Sequence, residues 1–430
     1  MKTLVHELAI AKCVLIAIAL AVCGQASCQA IYGVNSTADM VDDNPGNGVC
    51  HAANGQCTLR AAIMEANRSD VGSIIEMQPG IYDLQIPPAA AYSDATGALK
   101  LTSPVSGNPT ITILGAGAAR TIIDANQLDM VLAVDSLRKA MIVGVTIRGG
   151  NSPDVGGGIA NAGDLTLRKI DVSSNHSQSL GGGIFNSGTM TIDFPSSITS
   201  NSTPNNGGGI YNTNTGSLAI STSTIASNSG FAGGGIYSAG SLDIVNSTIA
   251  QNQAAIRGGG LFLRQGASAH ALIHSSTIAY NGAYTQDPGD GGGIYILSGT
   301  TVTMRNSLLA GNRYFGDQGS FEDCYTDGSG ILNTFGGNML STLAGCNTSN
   351  GAPLLNTLGD LGDLKNNGGP TWTIALLAGS NAIDAGNVCF DNGGNTLVTD
   401  QRGFARLVGN RCDAGAYEYD PDRIFTNGFE

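Results

Sequence analysis

The stretch GGGIYSAGSLDIVNSTIAQN, residues 233–252, decides the fold. It reads as a short strand led by Ile236, a glycine turn, an alternating strand with Leu242 and Ile244 on one face, a second turn, a third strand, and asparagine. Nearly the same string recurs along the chain. Its glycine triplets begin at Gly156, Gly181, Gly207, Gly233, Gly258 and Gly291, so the steps are 25, 26, 26, 25 and 33 residues. The third strand closes each time on asparagine: Asn175, Asn201, Asn228, Asn252, Asn281 and Asn312. A near-constant period of this size, with three strands and no helical segment, predicts an all-β solenoid of the parallel β-helix kind.

Glycine inside regular structure costs roughly 0.5–1 kcal/mol relative to alanine, so six triplets need a structural reason. A coil must turn sharply at the same place in every rung, and stacked turns crowd one another, which a residue without Cβ relieves. The asparagines are expected at the opposite turn, tolerating left-handed backbone angles and hydrogen-bonding to the asparagines above and below. Stacking at about 4.8 Å would then align Ile159, Ile184, Ile210, Ile236, Leu261 and Ile294 as one inward ladder. Leu218 with Ile220, and Leu242 with Ile244, would line the next sheet. The residue after each isoleucine is aromatic in five successive rungs, Phe185, Tyr211, Tyr237, Phe262 and Tyr295, with Ala160 in the first. If the isoleucines face inward, these rings form an outward strip. Such a strip suits face-on contact with sugar rings, or equally a stack that fixes coil registry.

The rest of the composition fits. Hydrophobic residues make up 42% and charged residues 12%, which excludes disorder, and the 62 glycines lack a period of three. A net charge of −13 opposes binding to nucleic acid or anionic membrane. Residues 1–30 carry Lys2 and Lys12, an apolar run from Cys13 to Val22, and the small-residue stretch CGQASCQA, the layout of a secretory signal peptide. The run is too short for an ordinary membrane span, so a secreted or surface-located chain is expected. Cleavage after Ala30 would remove three of the nine cysteines and leave an even six, which suits an oxidising compartment. Their clustering suggests Cys50 with Cys57, Cys324 with Cys346 and Cys389 with Cys412. A loop of the last kind would contribute roughly 3 kcal/mol in the chain-entropy model.

The solenoid ends need covers, because terminal coils expose unpaired backbone groups. Residues Thr58 to Arg68, TLRAAIMEANR, read as a short amphipathic helix with Thr58 as N-cap, a natural lid. After residue 320 longer loops carry four cysteines and look like an irregular unit closing the far end, with Trp372, the only tryptophan, expected in its interior.

The segment GVCHAANGQCTLRAAIMEAN, residues 48–67, resembles the CSLREA motif that begins many exported bacterial β-helix proteins. From Asn366 to Glu418 the elements NGGPT, SNAIDAG, TDQRG and CDAGAYE resemble the choice-of-anchor Q domain. The central repeats resemble those of polymorphic outer-membrane proteins, built on GGAI and FxxN. Ala61 departs from the first motif, which has glutamate there, and so removes the capping-box partner of Thr58. The resemblance implies a right-handed, pectin-lyase-like β-helix outside the cell or at its surface, but no activity, because this fold carries lyases, hydrolases, adhesins and stalks alike. The chain then divides into a signal peptide (1–30), an N-terminal cap (31–75), the β-helix (76–320), a C-terminal cap (321–420) and a tail (421–430).

Catalytic groups are scattered. A lyase on this fold needs a Lys or Arg base near a metal or cation. Arg148, Arg168, Lys169, Arg257, Arg264, Arg305 and Arg313 occupy different coil positions, and His176, His270 and His274 do not recur at the coil spacing. His270 and His274 straddle HALIH and should share one outward face. A hydrolase needs two or three carboxylates in one site. The candidates Asp164, Asp171, Asp193 and Asp243 form no dense cluster in sequence, though stacked coils can bring distant residues together. The loop DMVDDNPGNG, with Asp39, Asp42, Asp43, Asn44 and Asn47, concentrates oxygen ligands that a structural calcium would use, without EF-hand spacing. No other metal or cofactor is expected. The leading expectation is a non-enzymatic adhesin or carbohydrate-binding envelope scaffold whose partner is a polysaccharide or another surface component, bound at the aromatic strip. A secreted polysaccharide lyase or glycoside hydrolase is the alternative, and a passive structural stalk the second.

Overall fold

A computed structural model describes residues 29–89, 93–103, 107, 109–264, 270–284, 289–314, 320–350, 354–355, 360–387, 389–391, 393–409 and 411–422. The expected leader up to residue 28, with its three cysteines, and the tail from 423 lie outside the described residues.

Each coil crosses three parallel sheets. Sheet I holds the alternating strands, such as Ser241–Val245, and is twelve-stranded; sheet II holds the strands before the asparagine, such as Thr248–Ala250, and is eleven-stranded. Sheet III holds the strands after the triplet, such as Ile236–Ser238, and is nine-stranded. In the middle coils a fourth, four-stranded ribbon including Gln253–Arg257 joins sheet II to the triplet. Register follows the repeat: Ile159, Ile184, Ile210, Ile236, Leu261 and Ile294 pair in succession and are fully buried. Leu218, Ile220, Leu242 and Ile244 fill the same core from sheet I.

Each glycine of a triplet answers a different constraint. Gly233 has a φ of +65°, in the left-handed region that favours glycine. A Cβ on Gly234 would collide with the Gln253 carbonyl group, and one on Gly235 would lie 2.7 Å from the Gly260 carbonyl oxygen and 3.0 Å from the Asn252 side chain. The first glycine makes the turn; the other two let neighbouring coils and the asparagine ladder approach.

That ladder is continuous and buried. Asn175 Nδ2 donates to Asn201 Oδ1 at 3.0 Å, Asn228 to Asn252 at 2.9 Å, and Asn281 to Asn312 at 2.9 Å. The left-handed backbone expected of the asparagines sits one residue earlier, at Ser174, Ser200, Ser227, Gln251, Tyr280 and Gly311. The asparagine itself turns inward, where its amide satisfies carbonyls that the corner leaves unpaired.

Coils run on past residue 320. Cys324–Thr326 extends sheet III, Ile331–Phe335 extends sheet I, and Leu354–Leu355 ends sheet II. Leu343 and Cys346 pack against the core at this end. At the other end sits α1 (Leu59–Arg68), all but its last residue buried, with Thr58 Oγ1 accepting from the Ala61 amide at 3.1 Å. Ala61 itself is fully buried. Arg60 pairs with Asp39 at 2.6 Å, and Glu65 accepts from the Gly46 and Gly48 amides at 2.7 Å, fastening the preceding loop onto the helix.

The irregular C-terminal unit is present, but the described residues of 360–422 lie along the flank of the solenoid rather than over its end. This strap packs Leu361, Leu364, Ile374, Leu376, Ala382, Ala414 and Tyr417 against Ala226, Ala250, Ala279, Leu308, Ala310 and Met339, the outer residues of sheet II. Small side chains at these rungs let the strap lie close. The three disulfides are Cys50–Cys57, Cys324–Cys346 and Cys389–Cys412; the first ties the N-terminal loop, the second the last coils, the third the strap.

Candidate functional site

The aromatic residues do form a column on the outer face of sheet III. Successive rings from Phe185 to Tyr295 lie 4.8–5.7 Å apart, with interplanar angles of 3–7°, and Tyr325 extends the stack. The rings lie across the solenoid axis, so each covers the face of the next. Tyr237, Phe262 and Tyr295 are buried besides, under Ala232, Ile256 and Leu297, and Arg257 lies over Tyr295. Burial pushes the Tyr295 hydroxyl up to about 12. Face-on sugar contact within the column therefore has no free ring face between Tyr211 and Tyr295. The Phe185 end lies beside a 470 Å³ hollow that Tyr211 and Arg264 also line.

Four of the five side chains in the expected calcium loop make hydrogen bonds or ion pairs within the protein. Asp39 accepts from Arg60 and from the Gln85 and Ile86 amides, Asp42 from the Asn44 and His51 amides, and Asn47 from the Val49 amide. Asp43 meets His51 Nδ1 at 2.7 Å. Among the described residues no group of three or more His, Cys, Asp or Glu converges as a metal site.

Several of the scattered candidates pair with a carboxylate of a neighbouring rung. Arg148 pairs with Asp124, Arg168 with Asp193, and His270 Nε2 lies 3.0 Å from Asp243 Oδ1. His270 is exposed, but His274 on the same outward face is covered, and burial, then Arg305, lowers its pKa. Asp164 begins a strand rather than marking a turn.

A trough on sheet II gathers the groups with most to offer. Its floor is the outer face of the rungs Asp171–Ser173 and Ser197–Thr199, which pair in register. One end is walled where Thr146 Oγ1 donates to the Ala118 carbonyl at 2.8 Å, the other where Thr224 Oγ1 donates to the Trp372 carbonyl at 2.6 Å. The covered rungs Thr146 and Thr224 are three steps, about 14 Å, apart, leaving two rungs open. The space is 490 Å³, with Lys169 and Asp171 on one side and Pro370, Thr371 and Trp372 on the strap. Trp372 is 57% exposed, against the expectation of burial. Its neighbours Thr371 and Thr373 are buried, so alternation along TWT turns the indole outward. That alternation was the signal in the sequence; the position of the strap was not.

Asp171 accepts from Ser173 Oγ at 3.0 Å through one oxygen, while its Oδ1 is buried without a partner. Burial raises its pKa. It is the one carboxylate among the described lining residues, so two-carboxylate hydrolysis lacks its second group there. Hydroxyls, one acid, one amine and an exposed indole make a surface suited to a polyhydroxylated ligand.

Residues 156–348 match the family model described as "Right handed beta helix region". The coils are those of a right-handed parallel β-helix. A solved structure described as "Crystal structure of pectate lyase Pel9A" is similar to this β-helix over 92% of this chain and 98% of that one, at 16% identity and a TM-score of 0.49. That likeness transfers no residue role. No curated protein matches the β-helix chain.

Proposed function

We propose that this protein is an exported, non-enzymatic β-helix scaffold that binds carbohydrate in the sheet II trough. The carrying observation is Trp372, an exposed indole on the wall of a trough floored by Asp171, Ser197 and Thr199. Aromatic faces rimmed by hydroxyl and charged groups suit sugars, whose rings carry an apolar face and a polar edge. The two walls limit the bound length along the axis to about two sugar rings at the rung spacing. Three disulfides support an oxidising, extracellular location, and the resemblance of the terminal segments supports retention at a surface.

The test is a screen of the purified protein against immobilised polysaccharides, scoring retention and new reducing or unsaturated ends together. Retention without products, abolished in Trp372→Ala with an unchanged circular dichroism spectrum, is expected. Products that vanish in Asp171→Asn or Lys169→Ala would overturn the scaffold reading in favour of a polysaccharide lyase or hydrolase. Neither retention nor products would favour a passive stalk.

A further inference from the structure

A second cavity, of 310 Å³, lies within the strap beside the Cys389–Cys412 disulfide. Two arginines line it, Arg406 and Arg411, with Asn387 and Thr396 as further polar groups and Leu397 and Leu407 as apolar walls. Among the described lining residues there is no carboxylate, in a chain with 20 basic against 33 acidic residues. Arg406 is 1% exposed. Its Nη2 donates to the Gly415 and Ser275 carbonyls, but Nε and Nη1 are buried without a hydrogen-bond partner.

Nearby acids do not fill those positions. Glu418 accepts from the Val408 and Asp413 amides, Asp413 from the Asp384 and Tyr419 amides, and Asp400 is held by Arg402. Burial lowers the pKa of Arg406, and these acids oppose that shift from a distance without meeting its free N–H groups. A guanidinium removed from water with two donors unused costs several kcal/mol unless an acceptor arrives. A planar fork of donors beside a second arginine is the arrangement that recognises oxyanions.

The geometry points to the Arg406–Arg411 cavity as an oxyanion-binding site, taking a sulfate or carboxylate group either as a free ion or as the charged substituent of a sugar. The apolar walls of Leu397 and Leu407 give room for the carbon skeleton of the second kind. The site lies apart from the trough and stands whether or not the trough binds glycan.

The experiment is calorimetric titration of the full protein with sodium sulfate and with glucose 6-sulfate, at low ionic strength and neutral pH. Saturable binding at one site is expected, weakened about tenfold or more in Arg411→Ala, the size of one lost charge-assisted bond. Arg411 is exposed, so its replacement leaves the fold intact; Arg406→Met, if it folds, should abolish binding. Tighter binding of glucose 6-sulfate assigns the site to a charged sugar, and equal binding to the free ion. No saturation by either probe with the wild-type protein, or binding unchanged in Arg411→Ala, overturns the assignment.

Discussion

Thr224 and Trp372 are 148 residues apart in sequence and joined by a 2.6 Å hydrogen bond from the threonine hydroxyl to the tryptophan carbonyl. Gln401 adds a third party, donating to Thr224 Oγ1 at 2.9 Å. Along the same row Thr248 donates to Gln401 Oε1, and Thr277 accepts from the Ala416 amide. One column of threonines thus seats the strap and, where the strap stops, gives way to the trough floor. Thr224→Val should lower stability by about 1–3 kcal/mol, since it strips partners from buried polar groups. Urea unfolding of the two proteins measures it, and an unchanged midpoint would mean the bond is immaterial.

The triplets are predicted to tolerate no side chain at their second position. Gly234→Ala should cost about 3 kcal/mol or more, because its new methyl meets backbone of the next coil. Gly299→Ala has nothing within 4 Å of its Cβ and only a positive φ of +80° to resist it, so a penalty of about 1 kcal/mol is expected. Equal penalties in thermal melts would contradict the crowding argument.

The aromatic column should behave as a spine. Tyr237→Ala, in its buried middle, is expected to cost about 3–5 kcal/mol while leaving sugar retention per folded molecule intact. Loss of retention in a fully stable Tyr237→Ala protein would restore the column as a binding face.

The strap should be more stable in mild acid than in mild base. Burial, and then the charge of Asp413, push the Glu418 carboxyl up to about 8, and burial raises Asp413 to about 6. Raised native pKa values mean that the folded state holds protons the unfolded state has released. Stability is therefore fullest below the ordinary carboxyl range and declines as pH climbs from about 4.5 to 8. Protease resistance of the strap at pH 5 and pH 8 reads this out, and Glu418→Gln should flatten the difference.

Much of this molecule was legible because repetition multiplies a weak signal. One isoleucine proves little, but Ile184, Ile210 and Ile236 at the same offset fix the period, the inward face and the register together. The disulfide partners were legible because they are near in sequence. The surroundings of Trp372 were not, since they come from Thr224 and Gln401, which no period links to it. The rings were legible as a column, but not that stacking along the axis consumes their faces. Asp171 looked isolated in the sequence because its companions Lys169, Ser197 and Trp372 come from two rungs and the strap.

Because the strap follows the coils in the chain, the order of synthesis matters. During emergence from the ribosome, Ala226, Ala250, Ala279, Leu308 and Met339 are made before the segment that shields them. The half-made molecule carries a bare apolar seam, the kind of surface to which chaperones attach and along which copies clump. Arrival of the strap covers the seam, so the strap acts as a completion mark: a chain cut short before it is expected to leave these residues bare.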